Sequence, residues 1–251
     1  MDSNDYIYGL RAIIEAIDAG KEIDKILIKK DLQGELANEL HTRIREMHIP
    51  VQRVPVERLN RITRKNHQGA IAILSAVTYH RLDHLVPELY EEGKLPFIVV
   101  LDGITDVRNF GAIARTAECA GADAIVIPEH GSVSVGGDAI KTSAGALHHI
   151  PVCRERSIRG AVKFLQENGY KVIAASEKAD INYTQASYTD PIAIVMGAED
   201  VGINPEVLRL CDTFVSIPQF GHIGSLNVSV AAGIMMYEIV RQRLEADMEV
   251  I

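Results

Sequence analysis

The 251-residue sequence has no tryptophan, which decides nothing by itself, and only three cysteines, which decide more. Cys119, Cys153 and Cys211 form an odd set with no metal-ligand spacing. Buried free thiols in a reducing compartment account for them, and a cytoplasmic protein is expected. No apolar run approaches the ~20 residues that a membrane helix needs, so no membrane partner is expected. The start, Met1-Asp2-Ser3-Asn4-Asp5, is acidic and no apolar signal core follows it. The histidines show no ligand pattern, and His148-His149 would diverge on a strand or helix. No metal is expected. No G-x-G-x-x-G follows a first strand, and there is no P-loop lysine motif, so the usual dinucleotide and nucleotide fingerprints are missing.

Positive charge is also scarce, with a formal net charge of −8. That argues mildly against a nucleic-acid partner, although distribution matters more than the total. Residues 1–80 hold 12 Lys and Arg against 11 Asp and Glu, whereas residues 81–251 hold 14 against 23. Within residues 43–65, Arg43, Arg45, Arg53, Arg58, Arg61, Arg64 and Lys65 face only Glu46 and Glu57. This is the one concentrated basic stretch. By itself it reads equally as a solvated face.

What is present is ordinary globular material, 47% hydrophobic and 24% charged, enough for one large or two modest domains. Leu10, Ile13, Ile14 and Ile17 mark an amphipathic helix ended by Gly20. A strand over Lys25-Ile26-Leu27-Ile28, a helix over 35–47, a short strand over 51–54, a helical turn over 56–62 and a strand over 70–77 follow. Residues 1–78 thus read as a small α/β domain. Residues 79–96 read as a linker with a helix carrying Leu82, Leu85, Val86 and Leu89. A second domain, 97–251, opens with Phe97-Ile98-Val99-Val100-Leu101, a run suited to a parallel strand covered on both faces. A helix from about Phe110 to Ala120, a strand over 124–127, a helix over 158–168 and a strand over 172–175 come next. Residues 136–145 read as a loop and a tightly packed helix. Alternation of strands and helices predicts an α/β fold with a mostly parallel sheet.

The most informative stretch runs from Ile192 to Arg243. The run Ile192-Ala193-Ile194-Val195-Met196 ends in Gly197-Ala198-Glu199-Asp200-Val201-Gly202. Asn204-Pro205-Glu206 begins a short helix. Phe214-Val215-Ser216-Ile217 ends in a small-residue loop, and Ser225 is expected to cap the helix that follows. Two glycine turns at strand ends fit a ligand pocket, because open α/β sheets bind ligands at the carboxyl ends of their strands.

The residues Met196-Gly197-Ala198-Glu199, Gly202, Ile217-Pro218 and Ser225-Leu226-Asn227-Val228-Ser229-Val230-Ala231 closely resemble the signature of the SpoU/TrmH-type RNA 2′-O-ribose methyltransferases of the trefoil-knot (SPOUT) class. Asn109-Phe110-Gly111-Ala112-Ile113-Ala114-Arg115 matches the first motif of that family. The resemblance implies a deep trefoil knot in the second domain. It also implies an N-terminal substrate-binding domain with the fold of ribosomal protein L30e. The family often has His two positions after the glycine of the first helix, where this chain has Arg11 after Gly9.

The chemistry implied is methyl transfer from S-adenosylmethionine to a ribose 2′-hydroxyl, which needs neither a metal nor a covalent nucleophile. Alignment of the reacting atoms is worth roughly 7–11 kcal/mol. By resemblance, Arg115 stands at the 2′-hydroxyl. Arginine stays protonated, so a role in holding phosphate and stabilising a developing alkoxide is easier to support than that of a base. Asn109, Glu199, Ser225 and Asn227 would orient Arg115, the ribose and the proton's exit. Backbone at Met196, Gly197, Ile217 and Leu226 would hold the cofactor. Arg61, Arg64 and Lys65 would bind RNA. The layout looks most like enzymes that methylate a guanosine ribose in 23S ribosomal RNA, with transfer RNA as the alternative. The family works as homodimers with the active site near the interface, to which the helix over 234–244 could contribute. A non-catalytic RNA-binding or ribosome-assembly protein of the same fold is the rival reading.

Overall fold

The computed structural model describes residues 5–249. The acidic stretch 1–4 and the last two residues of the expected 97–251 domain lie outside that range. The chain up to Thr78, joined by Ser134–Gly137, forms one compact unit. Tyr79–Val133 and the chain from Asp138 form a second.

The first unit runs β1 (Tyr6–Tyr8), α1 (Leu10–Asp18), β2 (Ile23–Lys29), α2 (Glu35–Glu46), β3 (Val51–Val54), α3 (Val56–Ile62) and β4 (Ala70–Leu74). The sheet order is β1-β4-β2-β3, with β2 and β3 parallel and the other pairs antiparallel. Alternation along β2 separates two cores. Ile26 and Ile28 pack under α1 and α2 with Ile13, Ile14, Ile17, Leu40 and Ile44. Leu27 points to the other face, where Leu59 of α3 meets Ile71 and Ile73. Burial of each such side chain contributes about 1.5–3 kcal/mol. Gly9 before α1 has φ 90°, a left-handed backbone that favours glycine, and offers no side-chain cap. Gln68 supplies the missing acceptor, its Oε1 taking the Leu10 N–H at 3.0 Å. The strand expected over 70–77 stops at Leu74, because the Ser75 hydroxyl donates to the Val77 carbonyl at 2.7 Å and turns the chain.

The second unit runs β5 (Tyr79–His80), α4 (Leu82–Glu91), β6 (Phe97–Asp102), α5 (Val107–Cys119), β7 (Ala124–Pro128), α6 (Gly137–Thr142), β8 (Val152–Glu155), α7 (Ile158–Glu167), β9 (Lys171–Ala175), β10 (Ile181–Asn182), β11 (Ile192–Gly197), α8 (Pro205–Leu208), β12 (Thr213–Ser216) and α9 (Val228–Glu249). Its eight strands are all parallel, in the order β10-β12-β9-β11-β6-β7-β8-β5. The stretch read from sequence as a linker belongs to this unit. Tyr79 and His80 pair with Val152 and Cys153, and Leu82, Leu85, Val86 and Leu89 sit in the core beneath α7. The other sheet face carries α5 and α9, which pack on each other. Gly111 makes the approach of α5 to α6 possible: a Cβ there would lie 2.1 Å from the Thr142 hydroxyl and 2.8 Å from its carbonyl carbon. Cys153 and Cys211 are buried, as free thiols were expected to be, but Cys119 is exposed at the end of α5. Among the described residues, no helix is long and apolar enough to cross a membrane.

Candidate active site

Three neighbouring strands of the second sheet, β12, β9 and β11, end side by side. At the end of β11 the chain folds sharply back. The Gly202 N–H donates to the Ala198 carbonyl at 2.8 Å, and the Asn204 N–H donates to Asp102 Oδ2 at 2.7 Å, tying the loop to the end of β6. Asn204 then caps α8 by accepting from the Glu206 N–H, as its sequence position suggests. Gly197 has no room for a side chain: a Cβ would lie 2.2 Å from the Ile203 nitrogen and 2.3 Å from the Gly202 carbonyl carbon.

A cavity of about 420 Å³ opens over these strand ends. Met196, Gly197, Ile217 and Leu226, the four expected cofactor contacts, all line it, together with Glu199 and Ser225. Ser176, Glu177 and Lys178 also line it, just past β9. Sequence reasoning missed these three, because only the strand order places β9 between β11 and β12. The size suits a small-molecule site. The donor set suits S-adenosylmethionine: apolar Met196, Ile217 and Val228 for a flat base, backbone exposed at Gly197 for close approach, and charged Glu177 and Lys178 for a zwitterionic tail.

Beside the cavity, Asn227 joins three elements. Its Nδ2 donates to Asn109 Oδ1 of α5 at 3.0 Å and to Glu199 Oε1 in the loop after β11. Its Oδ1 accepts from the Ser229 and Val230 N–H groups at 3.0 and 3.4 Å. Asn227, and not Ser225, is therefore the cap of α9. Ser225 lies two residues too early to reach those N–H groups and lines the cavity instead. Glu199 Oε1 also accepts from the Val228 N–H at 3.3 Å, which puts a carboxylate at the positive end of a 22-residue helix. The helix expected from Phe110 starts earlier, at Val107, because Asp106 Oδ1 accepts from the Arg108 and Asn109 N–H groups at 2.8 and 3.0 Å. Those bonds hold the Asp106 carboxyl below its usual range, the bond from Asn109 contributing most.

Asn109, Glu199 and Asn227 are thus brought together. Arg115 is not joined to them. It lies exposed on α5, with no ion pair or side-chain hydrogen bond to any described residue. In the first unit, Arg61, Arg64 and Lys65 are all exposed. Arg43, from the same basic stretch, is engaged by Asp18 at 2.9 Å and Glu46 at 3.2 Å, which raise its pKa, the hydrogen bond to Glu46 foremost. Among the described residues, no group of His, Cys, Asp and Glu could hold a metal ion.

Comparison with known proteins gives concordant results. Residues 96–237 match the model of the SpoU rRNA Methylase family, and residues 6–80 match a model for RNA 2′-O ribose methyltransferase substrate binding. A protein assigned to the TrmH family of tRNA/rRNA methyltransferases from Staphylococcus saprophyticus is 35% identical over 237 residues, covering 94% of this chain and 95% of that one. One from Staphylococcus aureus is also 35% identical, covering 94% and 96%. Among solved structures, an AdoMet-bound rRNA methyltransferase from Sinorhizobium meliloti is 26% identical over 94% of this chain and 86% of that chain, with a TM-score of 0.60. A TrmH/SpoU tRNA modifying enzyme from A. aeolicus is 28% identical over 66% and 86%, with a TM-score of 0.57.

Proposed function

The chain belongs to the SpoU/TrmH family of S-adenosylmethionine-dependent RNA methyltransferases, and from that premise we propose that it methylates the 2′-hydroxyl of a guanosine ribose in 23S ribosomal RNA. The observation that carries the catalytic part is the Asn227 bridge, which ties Asn109 to Glu199, itself in the wall of the cavity lined by Met196, Gly197, Ile217 and Leu226.

S-adenosylmethionine supplies an electrophilic methyl on a sulfonium. The protein's task is to hold and align. The backbone at Met196, Gly197, Ile217 and Leu226, in the cavity wall, would hold the cofactor. Glu199 keeps a fixed orientation because the Asn227 amide and the Val228 N–H both donate to one of its oxygens. It serves as the carboxylate toward which the hydroxyl proton leaves. Asn109, locked by Asn227, and Ser225, exposed in the cavity wall, position the ribose. Arg115 is free to meet an anion, and a permanent cation there holds the adjacent phosphate and stabilises the alkoxide as it forms. Arg61, Arg64 and Lys65 hold RNA phosphates in the first unit.

We assign the working enzyme as a homodimer in the cytoplasm. Exposed apolar groups support the dimer. Val230, Tyr237 and Leu244 recur every seven residues along α9 at 51%, 52% and 58% exposure, and Phe220 in the loop after β12 is 98% exposed. The return of α9 across the sheet, from beyond β12 to α5 and β11, supports the knot implied by the family. Transfer RNA is the second reading, because the curated relatives are named for both RNAs. Tritiated S-adenosylmethionine offered with unmodified ribosomal RNA and transfer RNA separately tests the assignment. Label mapped to a 2′-O-methylguanosine of 23S RNA is the expected result, and label on transfer RNA alone would replace it with the second reading.

A further inference from the structure

A cleft of about 780 Å³ opens on the outer face of the first unit's sheet, the face that carries α3. Its floor is apolar: Leu27 of β2 and Ile73 of β4 are buried there, and Ile62 closes one end. Its rim is cationic. Lys25 stands on β2, and Arg58 and Arg61, three residues apart, project from one side of α3. Glu57 is the single carboxylate in the lining. Arg58 and Arg61 are exposed and have no ion pair among the described residues, and Lys25 makes one long ion pair, with Asp24 at 3.9 Å.

Aromatic rings border this floor. Tyr6 is paired with Ile73 across the antiparallel ladder, so both side chains stand on the same face, and Tyr6 packs against the Leu27–Ile73 cluster. Tyr8 follows on that face, its ring centroid 6.2 Å from that of Tyr6, and Lys65 Nζ lies 5.7 Å above the Tyr8 ring. An apolar floor with tyrosines beyond one edge and cations of β2 and α3 on its rim is complementary to one nucleotide, whose base is flat and stackable and whose phosphates are anionic. A paired helix would leave the floor unused, because its bases already stack on each other and present only backbone and groove edges. The volume also suits a single small ligand.

Resting on the RNA-substrate reading above, we propose that this cleft takes an unpaired nucleotide of the RNA substrate. The base lies on the floor beside Tyr6, and the flanking phosphates meet Lys25, Arg58 and Arg61. The site selects a loop or bulge, and so narrows which nucleotides in a large RNA the first unit can present.

The test uses the full chain and an oligoribonucleotide of about ten residues with one 2-aminopurine, as a single strand and as a blunt duplex. The single strand should bind with quenched fluorescence, and the duplex should bind at least tenfold more weakly. Arg58→Gln with Arg61→Gln should weaken single-strand binding at least tenfold and reduce the log–log salt slope by about 1.4. Tyr6→Leu should weaken binding roughly tenfold, and Tyr6→Phe should restore it. Adenosylmethionine affinity should not change in any variant. If the double variant fails to fold, Arg61→Gln alone decides. Equal single-strand affinity in wild type and arginine variants, or equal binding of duplex, overturns the cleft. If the wild type methylates RNA and the variants do so with unchanged KM, the cleft is wrong and the methyltransferase reading stands. If the wild type methylates no RNA yet the variants lose single-strand binding, the cleft stands and the substrate reading falls.

Discussion

The Asn227 side chain donates to the Glu199 carboxylate from the residue that also caps α9. One amide thereby does two jobs: it starts a 22-residue helix and it orients the carboxylate at the cavity. The two jobs can be separated by substitution. Asn227→Asp keeps a capping oxygen for Ser229 and Val230 but places a second negative charge beside Glu199. It should leave the melting temperature within a few degrees and depress methyl transfer by roughly 100-fold. Asn227→Ala should lose the same activity and, in addition, about 1 kcal/mol of stability. Thermal denaturation run beside the methylation assay reads both. An Asn227→Asp enzyme of wild-type activity would remove the orienting role.

The Arg115 side chain makes no ion pair or hydrogen bond to the described residues, so its loss should cost the fold nothing measurable. Arg115→Ala should abolish methylation, leave the melting temperature unchanged and leave calorimetric adenosylmethionine affinity within about twofold. Arg115→Lys should recover little, because an ammonium lacks the fork that holds a phosphate by two bonds. A fully active Arg115→Ala would end its assignment to the reaction.

Much of this site was legible in the sequence because each part of it is local. Continuous apolar runs such as 97–101 and 192–196 announce parallel strands buried on both faces, and both are strands here. The cap was less legible. Ser225, Asn227 and Ser229 are all good cap residues within five positions, and propensity cannot choose among them. The contact with Glu199, 28 residues away, fixes the choice at Asn227. The role of β5 was hidden because two residues, Tyr79 and His80, carry no periodicity, and only pairing with β8 defines them. Ser176, Glu177 and Lys178 look like any polar loop until the strand order sets β9 between β11 and β12.

Gly197 tests the cavity itself. Its neighbours at 2.2 and 2.3 Å from a built Cβ are backbone atoms, which cannot swing aside as a side chain would. Gly197→Ala should displace the 198–203 loop, cost about 1–3 kcal/mol and reduce adenosylmethionine binding at least tenfold. Gly221→Ala, where a Cβ meets nothing within 4 Å and which does not line the cavity, is the matched control and should bind normally. Isothermal calorimetry on both proteins makes the comparison, and normal binding by Gly197→Ala would show that the cofactor sits elsewhere.

The exposed stripe on α9 predicts a dimer at micromolar concentration in sedimentation. Val230, Tyr237 and Leu244 lie two helical turns apart on one side, whereas Met235, Met236 and Ile239 face the core. Substituting Tyr237→Glu with Leu244→Glu therefore charges the surface without touching the core. It should give a folded monomer with the melting curve shifted by no more than the dimer contributed. A dimer that survives both charges would move the interface off α9.

The cysteines give a pH test with a defined sign. Burial pushes the Cys153 and Cys211 thiols up to about 12, whereas Cys119 is exposed. In the unfolded chain, free thiols titrate near 8.5. At pH 8 a thiol reagent should therefore label one cysteine per native chain quickly and all three only after denaturation. Between about pH 9 and 12 the unfolded state holds fewer protons at Cys153 and Cys211 than the folded state. Stability must fall across that window as pH rises, because unfolding then releases protons. Replacing both residues by alanine removes this part of the alkaline slope, at the cost of lost packing at every pH. Urea midpoints measured from pH 8 to 11 should fall less steeply for the double variant than for the wild type. Parallel curves would mean that the two thiols are hydrated and titrate normally in the fold.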